Sequence, residues 1–389
     1  MKTHRFIVAI ALLLGSAITV QAQQVAVDEG DKGVSLDTLA KPVLKVFKNL
    51  KLSGTIRTRY NASFDKHIGI NGLQHSNLDD EFADNGFTIP QARLQLAGNL
   101  SEKLEVTLRV NFGDFSSTST SKVLEYAFAT YHVNPYINVR MGLMRPNFGR
   151  EDDLANDFLK SFDFSNQYTA FCENGWMGYQ LGVSIYGVVK AGEVPIRYFA
   201  GVYNGDGRQN FTDNDNGKQF PARVEVDFTK DLQVGVSGGV GKDHGNSVNA
   251  WGGDLNYEKQ LSRRWTAEVE TEYKQGNNQA LFNSDNISNT SINNYMMRGA
   301  YVLPSITYKT FLKDVKGIEA SFKYEYFDPN FKQNGNVRQQ YVPMVGVDFA
   351  EKYALRLQFG MVIDRYNENI ANTTEYNSNR FITQLQIRF

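Results

Sequence analysis

Residues 381–389 read FITQLQIRF, and the fold turns on this stretch. Phe381, Thr383, Leu385, Ile387 and Phe389 share one side of an extended ribbon, while Arg380, Gln384, Gln386 and Arg388 share the other. Successive side chains of a strand point to opposite faces, so one surface is greasy and the other wet. The last residues of a soluble domain are usually loose and polar. A closed sheet has the opposite requirement, because its final strand must pair with its first. The expectation is an all-β protein, a transmembrane antiparallel β-barrel.

The same alternation runs through the chain from Lys51 onward. Leu52, Ile56 and Tyr60 oppose Ser53, Arg57 and Arg59; Leu104, Val106, Leu108 and Val110 oppose Glu105, Thr107, Arg109 and Asn111. Ile137, Val139, Met141 and Leu143 oppose Asn138 and Arg140. The pattern recurs often enough to predict about 16 strands over residues 51–389, a size that leaves an aqueous channel. The apolar face carries almost no charge, as a bilayer requires: a lipid-facing Lys or Arg near mid-membrane costs about 2–4 kcal/mol. In the twelfth predicted strand Arg298 and Ile306 share a parity, which calls for a bulge near Pro304. Connections alternate short and long, the long ones at about 61–86, 113–121, 145–177, 204–218, 242–248, 277–294, 329–337 and 367–378. Short periplasmic turns and longer outside loops belong to outer-membrane barrels.

Lys2, His4 and Arg5 precede an apolar run to Val20 and then Gln21-Ala22-Gln23, so residues 1–22 read as a secretory signal peptide. Residues 23–50 do not alternate; Leu36, Leu39, Val43, Val46, Phe47 and Leu50 recur at helical spacing around Pro42. They predict a short periplasmic helix or tether, with a helix that packs between protomers or plugs the pore mouth as the alternative. Beyond the signal no run reaches the about 18 apolar residues of a membrane helix. The 26 Phe and 20 Tyr suit two interfacial girdles. A net charge of −1 argues against a nucleic-acid binder, and the single Cys172 precludes an internal disulfide. Cys172 has no base nearby in sequence, and no serine–histidine pairing stands out, so no enzyme and no cofactor is expected. No metal site is expected either. His67 and His75 with Asp65, Asp79 and Asp80 match no ligand spacing, and in DNDNG at 213–217 the glycine falls too early for a calcium loop.

GFTIPQARLQLAGNLSEKLEVTLRVNFGDF at 86–115 resembles a hairpin of the phosphate-selective porin O and P family. VRMGLMRPNFGRED at 139–152, with Gly142, Pro146, Phe148, Gly149 and Glu151, is similar to that family's exit from strand five. YFAGVYNGDG at 198–207 and FPARVEVDF at 220–228 resemble later blocks, and FITQLQIRF is similar to the insertion signal of outer-membrane barrels. The resemblance implies a sixteen-stranded, trimeric outer-membrane porin, its third long loop folded into the lumen as a constriction. Phosphate-selective members use a ladder of arginines and a lysine-rich region, to which this sequence offers no position-by-position match.

Parity then selects a lining. Arg57, Arg59, Arg93, Arg109, Arg140, Arg197 and Arg223 are the expected inward bases; Asp254, Glu268, Glu270 and Glu272 are the expected inward acids. The constriction loop supplies Arg145, Arg150, Glu151, Asp152, Asp153 and Asp157; residues 145–175 hold six acids and three bases. A turn centred near Ser101 sets Arg93 opposite Arg109, and a turn near Leu261 sets Asp254 opposite Glu268. Like charges facing across strands repel, so an anionic partner is expected between the arginines. Strands two and three lie about half a ring from ten and eleven, which predicts a transverse field with the acidic loop near the basic wall. The reading is a passive, weakly selective channel for small hydrophilic solutes, with outer-membrane lipids around a homotrimer. Its rivals are an anion- or phosphate-specific pore and a non-conducting adhesin or anchor.

Overall fold

A computed structural model describes residues 47–389 except 77–81, 117–122, 208–211, 214, 286–289 and 334. The expected signal and most of the helical N-terminal segment lie outside the described residues.

Sixteen antiparallel strands close on themselves. They are β1 (Leu50–Ser63), β2 (Asn85–Asn99), β3 (Leu104–Asn111), β4 (Leu124–Asn134), β5 (Ile137–Met144), β6 (Gln180–Ala191), β7 (Val194–Tyr203) and β8 (Gln219–Thr229). The second half comprises β9 (Leu232–Asp243), β10 (Asn246–Gln260), β11 (Trp265–Asn277), β12 (Met296–Lys309), β13 (Gly317–Asp328), β14 (Arg338–Asp348), β15 (Leu355–Tyr366) and β16 (Ser378–Arg388). Each strand pairs with its sequence neighbours, and β1 pairs with β16 through Ile56 opposite Ile387. Phe389 completes the seam: its N–H donates to the Gly54 carbonyl at 3.0 Å, and the Gly54 N–H returns the bond at 2.9 Å.

The two faces separate as the alternation requires. Leu52, Leu108, Met141, Val236, Val302 and Phe359 are exposed on the outer wall, while Arg57, Arg223, Lys323 and Gln384 are buried on the inner one. Exposed Phe87, Phe220 and Trp251 stand near the long-loop end, and Tyr136, Phe228, Trp265 and Phe311 near the short-turn end. These are the two girdles at which amphipathic rings meet the headgroups.

Two expectations about connections fail. The segment at 242–248 is not a long loop: β9 and β10 join through His244 and Gly245 alone, both at positive φ (47° and 81°). That is the two-residue hairpin turn whose twist matches the strands. No bulge interrupts β12 at Pro304, which keeps register opposite Val269. Arg298 simply faces outward at the long-loop end, beyond the apolar band, where Asp328 pairs with it at 3.2 Å and Phe331 stacks against it.

Candidate functional site

The connection after β5, residues 145–179, folds across the lumen. It holds helix α1 (Arg150–Asp153) and helix α2 (Asn166–Glu173), the latter N-capped by the Ser165 side chain, which accepts from the Tyr168 N–H. Its aromatics dictate the inward course. Phe148, Phe171, Trp176 and Met177 are buried together with Val248, Ala250, Ile292 and Met297. Phe162 packs instead on Val342, Met344, Val362 and Ile382, inward side chains of β14–β16. A Cβ on Gly360 would lie 2.9 Å from the Phe162 ring, so the bare backbone there makes room for it.

Polar contacts fix the crossing. Gln386 donates to the Asp157 carbonyl at 3.0 Å, Gln358 to the Lys160 carbonyl at 3.0 Å and Lys323 to the Asp163 carbonyl at 2.8 Å. The Arg57 guanidinium donates to the Asn156 carbonyl, and Arg59 forks onto Asp163 at 2.7 and 2.9 Å. Arg59 thereby holds the Asp163 carboxyl below its usual range against the opposing pull of burial. Glu151 and Asp152 belong to this loop, as expected, but do not face the lumen. Glu151 accepts from the Ser165 N–H and hydroxyl, and Asp152 from the N–H groups of Phe148 (3.0 Å) and Gly178 (2.9 Å). Burial lifts Glu151 to about 7 and Asp152 to about 6. They staple the loop to itself. Asp153 stays exposed and takes a bond from Asn147 at 2.7 Å, and Asp157 lies 3.3 Å from Arg388.

Arg57, Arg59, Arg93 and Arg109 all lie on the inner wall of β1–β3, where expected. The register between β2 and β3 is offset, however: Arg93 stands opposite Asn111, and Arg109 opposite Gln95. The wider turn shifts the partner by two residues, which preserves parity and changes only the neighbour. The expected anionic partner is supplied by the chain itself. Glu125 lies 2.6 Å from Arg93 and 2.9 Å from Arg109, its side chain 1% exposed. A β-bulge puts it there, for Arg109 pairs with Tyr126 and the adjacent Val110 with Leu124, leaving Glu125 as the extra residue. Sequence reasoning missed it, although a signal existed. Strict alternation from Tyr131 back through Ala129 and Ala127 would turn Glu125 toward lipid, which a carboxylate avoids.

Two further arginines stand on aromatic rings. Arg140 on β5 lies between Phe128 (4.6 Å) and Tyr186 (4.5 Å). Arg145 lies over Phe164 and Tyr179 and donates to the Leu154 carbonyl at 2.7 Å. Arg57, Arg140 and Arg145 have no carboxylate within ion-pair distance among the described residues.

Asp254, Glu268, Glu270 and Glu272 line β10–β11, half a ring away. Here too the register is offset, each partner being displaced by four residues: Asp254 is opposite Glu272, and Glu268 opposite Glu258. Asp254, Glu268, Glu270 and Glu272 each meet a cation. Arg223 takes Asp254, Lys274 takes Glu272, Arg150 takes Glu270 at 3.0 Å, and Lys160 takes Glu268. Arg150 and Lys160 come from the crossing loop, so that loop offers acids to the basic wall and bases to the acidic one. Arg197 and Arg223 face inward on β7 and β8 but sit within this second group, held by Glu225, Asp227 and Asp254. Within DNDNG, Asp213 accepts from the Asn216 N–H at 2.8 Å.

The family profile described as phosphate-selective porin O and P matches residues 61–325. The chain belongs to this family. Its barrel resembles the trimer form of OmpT from Vibrio cholerae (TM-score 0.54, 12% identity, covering 88% of this chain and 99% of that one). It also resembles the outer-membrane channel DcaP of Acinetobacter baumannii (0.54, 15%, 88% and 97%). An anion-selective porin from Comamonas acidovorans gives 0.55 at 11% identity, over 87% of this chain and 98% of that one. No protein of curated function matches the sequence. The porin is thus an outer-membrane β-barrel that forms a channel for small solutes, and family and fold place it with channels rather than enzymes.

Proposed function

We propose that this porin is a passive diffusion channel with a weak preference for anions, working as a homotrimer in outer-membrane lipid. One observation carries the reading. Asp254, Glu268, Glu270 and Glu272 on the β10–β11 side are each held in a close ion pair, while Arg57, Arg140 and Arg145 have no carboxylate within ion-pair distance among the described residues near β1–β5. Charged linings set ion preference. A transverse field whose acidic wall is largely ion-paired leaves a weak preference, not a strong filter. The loop at 145–179 narrows the path, with Asp157 and Asp163 on its basic side and Arg150 on the other. The trimer form of OmpT supports the assembly by analogy of fold.

A narrower reading, an oxyanion-specific pore, draws on Arg140, Arg109 and Arg145, which lie over the rings of Phe128, Tyr126 and Tyr179. Guanidinium groups match phosphate bidentately. Single-channel recording in planar bilayers separates the readings. A large, weakly anion-preferring conductance supports the diffusion channel, and a small current blocked by low phosphate supports the specific pore. Absence of conductance from folded trimers would leave the adhesin or anchor.

A further inference from the structure

Three neighbouring strands break the rule that the inside of a wide barrel is polar. Val342 and Met344 on β14, Val362 on β15 and Ile382 on β16 all face inward, each with under a tenth of its surface exposed. Phe162 covers Met344 from the loop side. Above that contact a cavity of about 400 Å³ remains, walled by Val342, Val362 and Ile382, with Phe162, Phe164 and Ile70 around it. Cations are set into the same wall. Lys323 is the cross-strand neighbour of Val342, and Arg380 that of Val362. Arg59 and Arg338 complete the ring. These four cations meet three carboxylates: Asp364 at 2.8 Å from Arg338 and 3.0 Å from Arg380, Glu325 at 2.6 Å from Lys323, and Asp163 at 2.7 Å from Arg59. Four cations thus stand against three ion-paired carboxylates beside an apolar wall, with Glu151 of the crossing loop also within electrostatic reach of Lys323.

We infer that this chamber is a solute-binding site for organic anions with an apolar body, such as aromatic or branched-chain monocarboxylates. The inference rests on the channel reading above and adds the substrate class. Chloride or inorganic phosphate would satisfy the cations and leave uncovered the small apolar area that Val342, Val362, Ile382, Phe162 and Phe164 turn to the cavity; a carboxylate carrying a ring or branched chain covers both. The volume admits a body of that size with some water. Occupancy has to be weak, because a channel solute must leave as readily as it enters.

The test is block of chloride current in planar bilayers by sodium benzoate, sodium acetate and inorganic phosphate. The native channel should be half-blocked by benzoate at about a tenfold lower concentration than by acetate, the margin expected for burying a few more carbons. In the double variant Val342→Thr/Val362→Thr, which keeps side-chain shape, the benzoate-to-acetate ratio should fall toward unity. In Arg380→Gln both half-blocking concentrations should rise together and the ratio should hold. Equal block by benzoate and acetate in a conducting native channel would overturn the inference and spare the channel reading; so would stronger block by phosphate. A ratio unchanged in the valine variant, with conductance altered, would reduce the wall to a seat for Phe162 and equally overturn it. Lack of any conductance would instead sink the channel reading beneath it.

Discussion

Replacing Glu125 by Gln keeps the shape of the side chain and removes one negative charge from between two arginines. The carboxylate now lies 2.6 Å from Arg93 and 2.9 Å from Arg109. Its loss adds one uncompensated positive charge to a wall bordering a cavity of about 670 Å³ that Arg93 and Arg145 also line. For an ion passing at ~8 Å through an effective dielectric of ~40, a unit charge is worth about 1 kcal/mol. Screening at ~0.1 M salt roughly halves this. The effect has opposite signs for anions and cations, so their difference is again about 1 kcal/mol, or about a fivefold rise in the anion-to-cation permeability ratio. Stripping the partner from a dry buried pair costs about 3–5 kcal/mol, and less beside an open cavity, against a closed backbone ladder that the change does not touch. Folded barrel should therefore be recovered. Reversal potentials under a potassium chloride gradient at low salt measure the ratio, and the shift should be tens of millivolts toward anions. Arg93→Glu with Arg109→Glu should move it the other way. A conducting Glu125→Gln channel with an unmoved reversal potential would refute the placement of this carboxylate beside the ion path.

The remaining expectations concern the seam and the crossing loop. Deleting Phe389 should lower the yield of heat-modifiable, protease-resistant barrel, and Gly54→Leu should do so too, since a Cβ there falls 2.5 Å from the Phe389 ring; normal yields on gels from both would show that the ring does not seal the seam. Phe162→Ala removes the loop's anchor on β14–β16, a truncation costing about 3–5 kcal/mol in a packed core, and should raise and broaden single-channel conductance; a unitary native value would place the loop's hold elsewhere. Burial raises Glu151 to about 7 from an ordinary carboxyl value, so docking of the loop is favoured while this group is protonated and weakens as pH rises toward about 7. Conductance noise should thus grow between about pH 4.5 and about 7 and level off above, and Glu151→Gln should abolish that dependence; native noise that is flat across the range would remove Glu151 from control of the loop.

The division of labour between sequence and structure follows from which quantities a strand's pattern encodes. Side-chain parity has a period of two, so a residue's face can be read from its neighbours alone. Every arginine expected on the inner wall is inward, from Arg57 to Arg223, and so are Asp254, Glu268, Glu270 and Glu272. Register depends on how many residues a turn consumes, and alternation is blind to any even slip. Hence Arg93 and Arg109 kept their face and lost their pairing, as did Asp254 and Glu268. A bulge is the one event that shifts parity by an odd step. At Glu125 it left a trace: an acid on the greasy side of an otherwise clean strand. At Arg298 the same kind of trace was misleading, because the outer face turns polar once the strand leaves the hydrocarbon. The loop at 145–179 is least legible of all. Its acids and bases read as a solvated surplus of negative charge, yet Arg150 finds Glu270 and Lys160 finds Glu268 more than a hundred residues away. Those pairings depend on the ring closing, since they span its diameter. The net selectivity of the channel is therefore a property of the closed barrel. Counting inward charges strand by strand predicts strong opposed walls; folding one loop between them gives Glu268 and Glu270 their cations, and on the proposed reading the arginines near β1–β5 then set the preference.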